Sequence, residues 1–128
     1  MFEDELDDRV YIIAISDGVD DNGEYELFKE KLAMKPNFKW DEVLIDEEDV
    51  VGSLEGVDVV FVLSGLFSKN RDFILRLVNG AKDLGKPIIL IRPFGLEEVP
   101  LDLEKFADDV KGWNAACIVD SVLDFVLD

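Results

Sequence analysis

Apolar residues along this chain keep two alternating rhythms. Residues 10–16 form a short, continuous, β-branched run that ends at Asp17-Gly18, the pattern of a buried strand entering a turn. Asp21 then precedes Glu24 at capping-box spacing, and Tyr25, Phe28 and Leu32 follow at helical period until Pro36 stops the helix. Residues 40–45 read as a second, weaker strand, and Val50, Val51 and Leu54 as a short helix. Residues 57–63 are almost wholly apolar, which suits a central parallel strand covered on both faces. After Ser64-Gly65 the rhythm becomes helical. Phe73, Ile74, Leu77, Val78, Ala81 and Leu84 make one stripe, with Arg71, Asp72, Asn79 and Lys82 away from it and Gly85 as C-cap.

The second half repeats the scheme. Residues 87–91 predict a fourth strand, and Pro100 opens a helix at its permitted first position with Leu103 and Phe106 inward. Residues 115–119, holding Cys117, predict a fifth strand, and Val122, Phe125 and Val126 a short final helix. Strands alternating with helices over short connections imply right-handed βαβ units. The expected fold is therefore α/β: a three-layer, doubly wound, five-stranded parallel sheet in the flavodoxin-like order 2-1-3-4-5.

Composition narrows the function. The 128 residues make one domain, 1–128, with an acidic segment 1–8 expected to be disordered. Hydrophobic residues at 48% supply a core. Lys and Arg number 13 against 30 Asp and Glu, a net charge of −17, so neither nucleic acid nor an anionic membrane is an expected partner. No apolar run nears the ~20 residues of a membrane span. There is no His, which removes Ser-His-Asp and Cys-His chemistry and His-bearing metal sites. A single Cys allows no intrachain disulfide, and the acidic start lacks the basic and apolar regions of a signal peptide, so a cytoplasmic location is expected.

In such sheets ligands sit beyond the carboxyl ends of the strands, at the switch point between strands one and three. The residues placed there are Ser16 and Asp17, Ser64 and Gly65, and Arg92, a permanent charge ending a buried strand and held in a turn by Pro93. Arg92 suits bidentate recognition of phosphate or carboxylate, or else an ion pair with a neighbouring acid such as Asp17, Glu97 or Glu98. A receiver-type phosphorylation module would need a metal-binding acid cluster, for which Asp17, Asp20 and Asp21 are candidates. Ser64, however, stands where the phosphoacceptor Asp should be, and Asp120 lies near the Lys position. Asp17 and Asp21 serve first as turn and cap residues, so no metal site is expected. The loop 17–23 has neither the dinucleotide fingerprint nor a P-loop Lys-Ser, and its carboxylates repel phosphate. The neutral-to-basic stretch Ser68, Lys69, Asn70 and Arg71 suits a nucleotide equally with a helix cap. Trp113 reads as packing and Cys117 as an inert core thiol.

From the third strand onward the sequence resembles a known family. Val62-Leu-Ser-Gly-Leu-Phe67, Arg71-Asp72 opening a helix, the run from Gly85 through Arg92 to Gly95, Glu98-Val-Pro100 and Gly112-Trp-Asn114 are similar to small archaeal TIR-like domains, which group with the TIR-like domain of Thoeris antiphage defence proteins. The similarity covers the first strand and most of the chain from residue 57; it is weak from Asp17 to Gly56. The resemblance implies a signalling or defence role, with self-association or a partner domain, and in many such domains cleavage or cyclisation of NAD. It also implies a catalytic Glu on the helix after strand three, near a Trp-Cys pair. Here Arg76 stands at the Glu position, no Trp-Cys precedes it, and the proline-bearing loop after strand two is not recognisable. The expectation is a binding domain without hydrolase chemistry and without a cofactor; the alternative is an NAD-cleaving hydrolase or cyclase using Asp72, one helical turn earlier, or an unrecognised carboxylate. Its ligand is a protein partner or a nucleotide-type small molecule held by Ser16, Asp17, Ser64, Gly65, Asn70, Arg92 and Gly95.

Overall fold

Strand β1 (Val10–Ile15) lies between β2 (Lys39–Glu42) and β3 (Val59–Leu63), and the sheet continues through β4 (Ile88–Ile91) to β5 (Asp109–Lys111). Every pairing is parallel, so the order is 2-1-3-4-5 and the architecture is flavodoxin-like. The computed structural model describes residues 10–16, 24–35, 38–46, 48–63, 71–91, 105, 107–111, 118–120 and 122. Helices α1 (Glu24–Ala33), α2 (Val50–Leu54) and α3 (Arg71–Asp83) occupy the first three connections. Right-handed crossovers put α1, which leads leftward to β2, on one face, and α2 and α3, which lead rightward, on the other. Among the described residues no helix is long and apolar enough to cross a membrane.

Burial follows the predicted patterning. All residues of β3 and β4 are buried, as a central parallel strand requires. Phe61 of β3 meets Phe28 of α1 with ring centroids 4.9 Å apart, and Tyr11 of β1 stacks on Phe38 at 5.2 Å. The stripe Phe73, Ile74, Leu77, Val78 and Ala81 packs α3 onto the other face. At the edges, β2 alternates exposed with half-buried residues and β5 is half-buried, each carrying charges that blunt it against further pairing.

The same device starts β3 and β5. Asp58, one residue before β3, donates its N–H to the Ile12 carbonyl at 2.7 Å, and its carboxylate accepts the Ile12 N–H at 2.8 Å. Asp108, one residue before β5, does likewise with Ile88, both bonds at 2.8 Å. Each aspartate thus supplies the acceptor for an N–H at the amino end of the neighbouring ladder.

Three expectations are corrected. The fifth strand is Asp109–Lys111 and not 115–119, since residues 118–120 are helical; Cys117 lies outside the described residues. Ile118, Val119 and Val122 are buried at spacings of one and four, a helical stripe that a five-residue apolar run does not distinguish from a buried strand. Asp120 is helical and exposed, so it ends no strand. Leu84, placed in the inward stripe of α3, is 36% exposed because the helix has ended: Gly85 takes φ 70°, donating to the Lys82 carbonyl while Lys86 donates to that of Ala81. These two bonds form a Schellman motif around Gly85. The helix expected from Pro100, with Leu103 and Phe106, lies outside the described residues.

Candidate functional site

The carboxyl ends of β1, β3 and β4 stand side by side, Ile15 paired with Phe61 and Leu63 with Ile91. Ser16 is the described candidate at this edge. It is 1% exposed, its N–H donates to the Phe61 carbonyl at 3.0 Å, and its Oγ accepts the Leu63 N–H at 2.9 Å. Leu63 is the last residue of β3, and the serine hydroxyl supplies the acceptor that its buried N–H needs. Ser16 is thus a bolt across the β1–β3 junction. Asp17, Asp20, Asp21, Ser64, Gly65, Asn70, Arg92 and Gly95 lie outside the described residues. Among the described residues no group of His, Cys, Asp or Glu converges as a metal site.

Asp72 and Arg76 both fall in α3, exposed, four residues apart and so on one side of the helix. Arg76 borders a feature that the sequence did not announce: an open groove of about 450 Å³ between α2 and α3. One wall is the row Arg76, Asn79, Gly80 and Asp83, spaced as one helix face; the other is Glu48 to Val51. The helices meet at Gly80. A Cβ there would stand 3.4 Å from side-chain atoms of Leu54 and Val50, so α2 rests on α3 with room at this point for a methyl group and no more. A glycine inside an otherwise regular helical stripe was the available signal.

The second wall is tied down locally. Asp49 caps α2 by accepting the Gly52 N–H at 3.1 Å. The Ser53 hydroxyl accepts from the Asp46 N–H and donates to the Asp49 carbonyl, and Asp46 accepts the Glu48 N–H. These bonds hold the segment entering α2 in one shape without using the Glu48 carboxylate. The groove therefore presents three carboxylates, Glu48, Asp49 and Asp83, against the Arg76 guanidinium. That sign repels phosphate and attracts cations.

A smaller hollow of about 170 Å³, lined by Lys82, Gly85, Lys86, Pro87 and Asp108, lies at the amino end of β4. Its polar groups are engaged structurally: Lys86 donates to the Glu55 carbonyl at 3.0 Å, and Lys82 faces Asp108 at 3.8 Å. It lies away from the strand ends where ligands of this architecture bind. No protein-family model matches the chain, and no curated protein does.

Proposed function

We propose that this chain is a TIR-like signalling domain that acts by binding and does not consume NAD. The observation that carries the reading is Arg76, exposed on α3 and bordering the α2–α3 groove, at the position where the resemblance calls for a catalytic glutamate. A guanidinium only donates hydrogen bonds and cannot accept one from a ribose hydroxyl. Its charge also opposes an oxocarbenium-like centre, where a carboxylate would stabilise it. The neighbouring carboxylates do not restore that chemistry readily: Asp49 is committed to its helix cap, and the net negative groove disfavours a dinucleotide carrying two phosphates.

The same charge balance favours a protein partner in the groove over a nucleotide. A nucleotide-type ligand would use the crevice beyond β1 and β3, with Arg92 as its anion anchor. The rival enzyme reading rests on Asp72, an exposed carboxylate one turn before Arg76. Ligand-observed NMR of the purified chain with NAD separates the three. Unchanged spectra support the partner-binding reading. Line broadening that is lost in Arg92→Ala selects the crevice ligand, and free nicotinamide that is lost in Asp72→Asn selects the enzyme.

A further inference from the structure

We infer that the α2–α3 groove docks a cationic segment of a partner protein, Lys or Arg stems lying over Val51 and their charges against Glu48 and Asp83. The inference rests on the binding reading above and names the chemistry of the partner.

Shape is the first support. The α3 row and the acid-bearing segment before α2 enclose a volume suited to side chains, with α2 resting on α3 at Gly80 as its floor. Val51 adds an aliphatic surface: it is 44% exposed, although its helix neighbours Val50 and Leu54 are buried. Long cationic side chains match that mixture, because their methylene stems cover apolar surface while the charged end stays at a polar rim.

Charge complementarity decides between occupants. Neither the Glu48 nor the Asp83 carboxylate is bonded by a described residue, whereas Asp49 is spent on its cap. An apolar segment would cover these carboxylates and leave them unpaired, which is costly. A second copy of this chain carries the same −17 charge and is repelled. A cationic segment is drawn in by both the local and the whole-molecule field.

The probe is a short, acetylated and amidated peptide of Lys, Leu and Ala, titrated into ¹⁵N-labelled full chain at about 0.15 M salt. Expected are shifts confined to residues 48–51 and to Arg76, Asn79, Gly80 and Asp83. The variant Glu48→Lys/Asp83→Lys is expected to bind about tenfold more weakly. The control Glu26→Lys/Glu30→Lys changes net charge equally on α1, across the sheet, and stays within about twofold. Arg76→Ala binds the peptide more tightly, whereas an anion site would weaken. All five positions are exposed, so the variants keep the fold. Shifts scattered over the acidic surface, or equal loss in both double variants, overturn the inference. Nicotinamide release from NAD overturns the binding reading instead, whatever the peptide does, so the two failures are distinct.

Discussion

Replacing Ser16 with Ala tests whether that residue serves the fold before it serves a ligand. The substitution removes one oxygen from a site 1% exposed and leaves the Leu63 N–H without the acceptor now 2.9 Å away. Alanine costs little itself, since the β1 end is already apolar and the volume lost is small. The loss is therefore that of a buried donor left unsatisfied, about 1–3 kcal/mol. Ser53→Ala is the matched control: its hydroxyl makes two bonds, to Asp46 and Asp49, but at the exposed α2 cap, where water replaces them. It should cost less than about 1 kcal/mol. Urea unfolding reads both, because a slope of about 1–3 kcal/mol per molar turns the Ser16 loss into a midpoint shift near 1 M. A Ser16→Ala midpoint indistinguishable from wild type would refute the bolt and return Ser16 to the ligand candidates.

Four other substitutions probe the same reasoning by unfolding. Asp58→Ala should cost about 1.5–3 kcal/mol through its charged acceptor to Ile12, and Asp108→Ala less, since its side chain is 33% exposed; the reverse order would refute the burial argument. Gly85→Ala should cost about 1–2 kcal/mol from its positive φ alone, because open space surrounds the new Cβ; a neutral result would contradict the Schellman turn. Gly80→Ala should be neutral or stabilising by up to about 1 kcal/mol, helix propensity meeting contacts no closer than 3.4 Å, whereas a loss above that would mean α2 and α3 are packed more tightly.

The sheet order, the positions of β1, β3, β4 and α3, and the Gly85 stop were legible because each has a strong local signature. Continuous apolar runs mark strands covered on both faces, and α3 carries a clean stripe bounded by charge. The fifth strand was not legible. Asp109, Val110 and Lys111 form a half-buried edge with one apolar residue, and the richer run 115–119 drew the assignment away from it. The aspartate clips escaped notice for a related reason: Asp58 and Asp108 look like polar residues preceding strands, and only the parallel pairing shows which N–H each one serves. Of the candidate site, Ser16 was placed correctly at the junction, but its bond to Leu63 is a long-range fact across 47 residues. The groove needs two helices to meet and so has no local signature beyond Gly80.

The most direct test of the binding account is an NAD turnover measurement on the intact chain, with Asp72→Asn alongside, following nicotinamide by ¹H NMR for several hours. The account predicts no nicotinamide from either protein, since the helix after β3 carries Arg76 where the proposed TIR-like resemblance calls for a glutamate. Steady release from the wild-type chain, abolished by Asp72→Asn, would contradict it and make this domain an enzyme.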